Sequence, residues 1–107
     1  MIARMWRASA TVSGAQEYAT YLQSAVVPEL AVIPGYRGVM LFQNAHFDRI
    51  EVTVLTRWDS IEAIRAFAGE SIATAVVHDR AARMLIDFDR TVTHHEVVFD
   101  VWHQPLV

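Results

Sequence analysis

Alternation of apolar and polar residues predicts three strands in the first half of the chain. In residues 2–8 the side chains alternate between two faces, with Ile2, Arg4 and Trp6 on one and Ala3, Met5 and Arg7 on the other. Residues 36–44 and 49–58 form two further strands, separated by a turn at residues 44–48. Two strands this close in sequence are expected to pair as an antiparallel hairpin.

Apolar residues at helical spacing predict a long helix between the first two strands. Its core-facing stripe consists of Tyr18, Leu22, Val26, Leu30 and Ile33. Ser13 is the expected N-cap, because it has capping-box spacing with Gln16, and Pro34-Gly35 ends the helix. Pro28 lies inside the helix and is expected to kink it, because proline lacks the N–H that an interior turn needs.

The second half of the chain predicts a short helix and a final strand. A capping box at residues 59–62 opens the helix, which ends near Gly69. Residues 71–84 are rich in alanine and arginine and are expected to be helical in pieces, and residues 86–101 form a long last strand. The resulting order, β-α-β-β-α-β, is typical of an α+β ferredoxin-like domain with an antiparallel sheet and helices on one face.

The predicted sheet is apolar on both faces in places, notably at residues 36–42 and 97–101. A face without helices is not expected to stay in water, so we expect a second copy of the chain to cover it in a homodimer. We assign one domain to residues 1–100 and a tail to residues 101–107. Whether the tail crosses onto the partner stays open, because Trp102 and Leu106 favour it whereas Pro105 indicates that the strand has ended.

Composition narrows the classes of function. The 107 residues are the length of one domain, and the absence of cysteine excludes a disulfide framework, a zinc–thiolate site and a thiol nucleophile. The net charge of -3, without any lysine or basic run, argues against nucleic acid as a partner. The N-terminus lacks the pattern of a signal peptide and no apolar run is long enough to cross a membrane, so we expect a cytoplasmic protein.

Several segments carry a family resemblance that extends from residue 1 to about residue 100. They are MIARMWR at 1–7, VPEL at 27–30, IPGY at 33–36, LTRWDS at 55–60, DFD at 87–89 and HHEV at 94–97. Together they resemble antibiotic-biosynthesis monooxygenase domains. The resemblance implies a dimeric α/β barrel with a ligand pocket between the sheet and the helices of each subunit. It also implies one of two chemistries: cofactor-independent oxygenation of polycyclic phenols or degradation of haem.

The positions that the haem-degrading branch would use differ in this chain. That branch places an asparagine on the first strand and a tryptophan and a histidine in the second helical region. Those positions hold Arg7, Phe67 and Val77 here, and His78 lies one residue beyond the last of them. Haem is therefore the less favoured alternative, and no cofactor is expected.

In the cofactor-free route a deprotonated phenol itself reduces oxygen. The protein then needs a base to take the proton, a partner to stabilise the resulting anion and apolar walls to hold the ring. His78 is the candidate base, since an imidazole titrates near neutral pH. Arg7 is the candidate partner for the anion, since a guanidinium stays charged. Candidate walls for a planar substrate are Met5, Tyr21, Leu22 and Phe67. These residues predict a monooxygenase acting on a small aromatic or polyketide-like substrate.

Each of these residues also has a simple structural interpretation, so a non-catalytic dimer that binds a small ligand, or none, stays open. His78 is then a solvated helix residue or a partner of Asp79, and Arg7 forms a surface ion pair. No metal is expected, because the neighbours His94 and His95 point to opposite faces of a strand. Fingerprints for phosphate, flavin or nicotinamide binding are absent from the sequence.

Overall fold

The first strand, β1 (Ile2–Ala10), lies inside the sheet, with paired strands on both of its edges. A computed structural model describes residues 1–106, so Val107, which belongs to the predicted tail, lies outside the described residues. On one edge β1 pairs along its whole length with the antiparallel strand β3 (Arg49–Trp58), whose predicted bounds are confirmed. This continuous register fixes which side chains of the two strands share a face.

The strand β2 (Tyr36–His46) pairs with the outer edge of β3, which confirms the predicted hairpin. The turn is shorter than predicted, because only Phe47 and Asp48 separate the strands, and Phe47 has a positive φ of 55°. Two-residue hairpin loops favour such a conformation, since it matches the twist of the flanking strands. The ladder consequently continues to the pair His46 and Arg49.

The long helix is a run of three helical pieces: α1 (Val12–Tyr21), a π-helical turn (Leu22–Val26) and α2 (Val27–Ala31). The prediction that Ser13 caps this helix is wrong. The helix begins as soon as β1 ends, and the hydroxyl of Thr11 accepts a hydrogen bond of 3.0 Å from the backbone N–H of Gly14. Thr11 thereby satisfies one of the free N–H groups of the first turn.

Pro28 acts on the helix through the turn that precedes it. It lies in the first turn of α2, where its missing N–H is tolerated. Immediately before it, the N–H of Val27 donates to the carbonyl of Leu22, five residues earlier. The predicted kink therefore takes the form of a π-helical turn, a local widening of the helix.

The predicted short helix is confirmed as α3 (Ile61–Ala68). Its N-cap is Ser60, one residue after the start of the predicted capping box, and the Ser60 hydroxyl accepts a hydrogen bond of 3.2 Å from the N–H of Ala63. Gly69 ends the helix with a positive φ of 81°, a conformation that side-chain-bearing residues rarely adopt. The helix predicted in pieces at residues 71–84 is reduced to a single turn, α4 (Asp79–Ala82).

The long last strand predicted at residues 86–101 is wrong. Two short strands, β4 (Asp87–Phe88) and β5 (Thr93–Glu96), pair with the same edge of β1. Met5 and Ala8 are three positions apart on β1, whereas their partners Thr93 and Phe88 are five positions apart. The two extra residues make the chain bulge away from β1 between these strands.

The bulge explains why the preceding segment is extended. Thr91 in the bulge forms an isolated antiparallel bridge with Thr74. The N–H of Ala75 donates to the carbonyl of Arg90, and the N–H of Val92 donates to the carbonyl of Ala73. Backbone groups that would otherwise be left without partners are satisfied in this way, at the expense of a helix in residues 73–75.

The helices pack on one face of the sheet, which completes the predicted α+β ferredoxin-like architecture. Trp58, Leu30 and Ile64 are among the most deeply buried side chains of this core. The opposite face, which we call the open face, carries Met40 and Phe42 with 42% and 43% of their surface exposed. No helix in residues 1–106 has the length and apolar character needed to cross a bilayer.

The C-terminal segment (residues 97–106) has no regular structure. It leaves the sheet at Val97, whose N–H donates to the carbonyl of Met1. Further along, the carboxylate of Asp100 forms an ion pair with Arg57. Its large exposed apolar side chains are Val98, Phe99, Val101, Trp102 and Leu106.

Candidate functional site

A cavity lies between the helical run α1–α2 and the sheet, and we call it the helix-side cavity. It has two adjacent lobes, an inner one of about 70 Å³ and an outer one of about 50 Å³. The side chains that line both lobes are Trp6, Tyr18, Val26, Phe67 and Val76. The inner lobe is completed by residues that include Arg4, Leu22 and Thr56, and the outer lobe by residues that include Tyr21, Glu29 and His78.

Aromatic rings form much of this lining. The ring centroid of Tyr18 lies 5.9 Å from that of Trp6 and 6.0 Å from that of Tyr21. Tyr18 and Tyr21 share a face of α1 because they are three residues apart. Burial and the neighbouring Tyr21 raise the pKa of Tyr18, so its hydroxyl stays protonated at neutral pH. The lining therefore suits a planar apolar ligand.

Arg4 is a buried cation on the floor of the inner lobe, because β1 directs it toward the helices. Its guanidinium donates from Nη1 to the carbonyl of Ile72 and from Nη2 to the carbonyl of Thr74 at 3.0 Å. It also lies 5.8 Å from the ring centroid of Phe67. Within residues 1–106, no Asp or Glu carboxylate lies within 4.0 Å of it. Burial lowers the pKa of Arg4 to about 10, which leaves it charged at neutral pH.

His94 faces Arg4 directly across the β1–β5 pair. Its Nε2 lies 2.9 Å from Nη1 of Arg4. A guanidinium nitrogen only donates, so Nε2 accepts and the ring proton is on Nδ1. Burial, Arg4 and His95, in decreasing order of effect, lower the pKa of His94. The imidazole next to Arg4 is therefore neutral and does not compensate its charge.

Solved structures share the fold of this chain. The haem degrader MhuD of Mycobacterium tuberculosis, with two haems bound in its active site, matches with a TM-score of 0.60 at 19% identity, over 95% of this chain and 100% of that one. A mutant of MhuD with two manganese protoporphyrin IX molecules per active site matches with a TM-score of 0.61 at 20% identity, over 96% and 100%. A monooxygenase from the gene ActVA-Orf6 of Streptomyces coelicolor, in complex with nanaomycin D, matches with a TM-score of 0.54 at 14% identity, over 98% and 91%. The chain has the fold of these proteins.

Sequence comparison adds no assignment to this shared fold. No protein-family model matches the chain, and no curated protein matches it. Identities of 14–20% establish the fold alone, and a fold by itself hosts many activities. Any activity of this chain therefore depends on the side chains of the helix-side cavity.

Four of the six residues predicted for the site line this cavity. Leu22 lies in the inner lobe, Tyr21 and His78 in the outer lobe, and Phe67 in both. Tyr21 and Leu22 are buried, whereas His78 is exposed at the N-cap position of α4, where its side chain caps no backbone N–H. The structure thus brings together three of the four predicted walls and the predicted base.

The other two predicted residues lie on the opposite face of the sheet. Met5 and Arg7 line a hollow on the open face together with Asp89, Thr93 and His95. The reason is the alternation of β1, because Trp6 points to the helices and its two neighbours must point away. Arg7 is therefore not placed to hold an anion next to His78.

Sequence reasoning missed Arg4, Trp6 and His94 as parts of the site. The signal for Arg4 was available, because the predicted alternation already placed it on the same face as Trp6. His94 had no such signal, since its partnership with Arg4 depends on a pairing between strands that are 90 residues apart. His95 points to the other face and contacts Thr93, as the predicted alternation requires. Within residues 1–106, no three His, Cys, Asp or Glu side chains group as a metal site.

Proposed function

We propose that this chain is a cofactor-independent monooxygenase of the antibiotic-biosynthesis monooxygenase family, acting on a small aromatic or polyketide-like phenol in the helix-side cavity. The observation that carries the proposal is the aromatic lining of a cavity that also presents an imidazole, that of His78. The monooxygenase structure with nanaomycin D supports it, because that protein has the same fold. The family resemblance of the sequence points the same way.

The proposed reaction needs only the phenol and dioxygen. The hydroxyl proton passes to a base, and the phenolate gives electrons to dioxygen. A C–O bond then forms at the ring carbon opposite the hydroxyl, and the proton returns to the new peroxide. Loss of water breaks the O–O bond and the adjacent C–H bond and leaves a quinone. One oxygen atom ends in the quinone and the other in water, and the ring supplies all the electrons.

In this proposal His78 accepts the hydroxyl proton. His78 lines the outer lobe, and its side chain forms no hydrogen bond with another side chain of residues 1–106. Tyr21, Leu22 and Phe67 hold the ring of the substrate and exclude water from the reacting atoms. Met5 and Arg7 have no part in this chemistry, because they lie on the open face.

The cavity fits such a substrate better than it fits haem. Pockets for drug-sized ligands have volumes of roughly 300–1,000 Å³. The lobes of about 70 and about 50 Å³ are far smaller, so a molecule of one or two rings requires them to join and a haem requires a much larger opening. At their present size the two lobes do not hold a haem.

Oxygen consumption tests the proposed reaction. Purified protein is mixed with a panel of one- and two-ring phenols that carry a hydrogen at the ring carbon opposite the hydroxyl, and we expect uptake of dioxygen with formation of the quinone. His78→Ala is expected to slow turnover by roughly 10²–10⁴-fold, the usual contribution of a general base. His46→Ala, an exposed histidine at the end of β2, is the matched control and keeps full turnover.

Other outcomes of this assay would contradict the proposal. Absence of uptake with every compound, combined with saturable binding, would indicate a non-catalytic binding module. A saturable shift of the Soret band on addition of haem would favour the haem-binding alternative. Full turnover by His78→Ala would remove this residue from the role of base.

We further propose that two copies pair through their open faces. Met40, Leu55 and Met5 form an apolar row across three adjacent strands of that face. Sedimentation at micromolar concentration should give a mass near twice 12.1 kDa, and a charge placed in the row by Met40→Glu should shift it toward one copy. Val32→Glu, at an exposed helix end, serves as the control. A monomeric wild-type protein would refute this pairing.

A further inference from the structure

The guanidinium of Arg4 has N–H groups that form no hydrogen bond within residues 1–106. A guanidinium carries five N–H groups in a planar fork. Both N–H groups of Nη1 are engaged, with the carbonyl of Ile72 and the ring of His94, and Nη2 uses one for the carbonyl of Thr74. The second N–H of Nη2 and the N–H of Nε remain. Nε of Arg4 forms no hydrogen bond within residues 1–106 and is not among the buried side-chain atoms there that lack a partner, so this N–H keeps some solvent-accessible surface.

The charge of Arg4 is also uncompensated. A buried charge is costly unless it is paired, and proteins usually pair a buried arginine with a carboxylate. Here the polar neighbours are two backbone carbonyls and a neutral imidazole, which satisfy donors without cancelling the charge. Residues 1–106 contain no Asp or Glu within 4.0 Å. A negative group entering the inner lobe would therefore meet a preformed positive partner.

We propose that the inner lobe binds an aromatic oxyanion, held by the free N–H groups of Arg4. This inference rests on the proposed function and deepens it, because it names the ionised form of the ligand and assigns to Arg4 the role that the sequence suggested for Arg7. A guanidinium presents its donors in a rigid plane, which suits one or two oxygen atoms of a phenolate or a carboxylate. The nearby ring of Phe67 offers a surface for the aromatic part of the same ligand.

His94 is a positioning residue in this site. Its Nε2 accepts from Nη1 and, with the carbonyls of Ile72 and Thr74, fixes the orientation of the fork. Because the ring is neutral, it holds Arg4 in place without competing with the anion for the remaining donors. His94→Gln keeps an acceptor at this position and should preserve binding, whereas His94→Leu should weaken it.

A coloured phenol tests the inference without oxygen turnover. Under anaerobic conditions, and at one pH slightly below the pKa of free para-nitrophenol, binding to the wild-type protein should increase the absorbance of the phenolate. Arg4→Gln should bind roughly ten- to a hundred-fold more weakly and lose the phenolate signal, because a hydrogen bond to a charged group is removed. Arg7→Gln, on the same strand and the opposite face, should behave as the wild type.

Two further probes and one further variant sharpen the test. The ether para-nitroanisole cannot ionise and should bind more weakly than the phenol. Measuring para-nitrobenzoate alongside shows whether a phenolate or a carboxylate is the preferred oxyanion. Arg4→Lys keeps the charge with fewer donors, so it should retain part of the phenolate signal even where Arg4→Gln fails to fold. Circular dichroism confirms folding of each variant.

The inference would be overturned if folded Arg4→Gln retained both affinity and phenolate signal, if Arg7→Gln lost them, or if the ether bound as tightly as the phenol. The anion site and the proposed reaction can be rejected independently of each other. A phenolate signal that depends on Arg4, without oxygen uptake, would support the anion site and reject the monooxygenase. Oxygen uptake that is unchanged in Arg4→Gln would support the monooxygenase and reject the anion site.

Discussion

Replacing Trp58 with alanine is expected to lower the free energy of unfolding by about 3–5 kcal/mol. The indole is fully buried, with 0% of its surface exposed, between the sheet and the helices α2 and α3. Its ring packs against Tyr36 and Phe67, with centroid distances of 5.5 and 5.8 Å. Alanine would leave a cavity that the surrounding strands and helices fill only in part. Urea denaturation followed by far-ultraviolet circular dichroism measures the loss.

The matched variant is Trp58→Phe. It keeps an aromatic ring but removes the hydrogen bond of 2.8 Å from the indole N–H to the hydroxyl of Thr56. Its loss should be clearly smaller than that of the alanine variant, because most of the packing is retained. Equal urea midpoints for Trp58→Ala and the wild type would show that this core does not hold the helices on the sheet.

Replacing Val26 with phenylalanine is expected to weaken binding of para-nitrophenol at least about tenfold, which corresponds to about 1.4 kcal/mol. Val26 lines both lobes of the helix-side cavity, so a larger side chain there occupies the space that a ligand needs. Overpacking itself costs roughly 1–3 kcal/mol of stability, which a folded domain of this size tolerates. A spectroscopic titration of the folded variant gives the affinity.

Val32→Phe is the control for this substitution. Val32 is the C-cap residue of α2 and is 80% exposed. The same change of side chain is therefore made at the end of this helix but outside the cavity. Its affinity for the probe should equal that of the wild type. Unchanged binding by Val26→Phe would place the ligand somewhere other than the helix-side cavity.

The sequence predicted the architecture well where patterns are local. The hairpin of β2 and β3, the helix α3 and its end at Gly69 follow from alternation, capping and glycine signals that act within a few residues. The N-cap failed for a local reason, because Thr11 and Ser13 are both good caps and only the end of β1 decides between them.

The last strand failed because its course depends on distant parts of the chain. The pattern of residues 86–101 predicts one strand. In the structure, residues 90–92 bulge away from β1 before Thr93 and form backbone hydrogen bonds and a bridge with residues 73–75. No periodicity within either segment signals that partnership. The same bulge removed the helix expected in residues 73–75, so two errors have a single cause.

The sequence predicted the apolar walls of the candidate site but not its buried cation. The walls at Tyr21, Leu22 and Phe67 follow from the helical stripes, which point to the sheet. Alternation separates Arg4 from Arg7 but does not show which of the two faces of β1 meets the helices, so Arg7 could be excluded only from the structure. The division at residue 100, the cytoplasmic location and the roles of individual residues stay predictions.

The π-helical turn at Leu22–Val26 forms part of the wall of the helix-side cavity. Its wider backbone bonding is less regular than that of the α-helices on either side. Leu22 and Val26, at the two ends of this turn, line the cavity, whereas Arg4 lies on the paired strand β1. We expect a guest larger than the resting lobes to gain its room at this turn rather than from the paired strands.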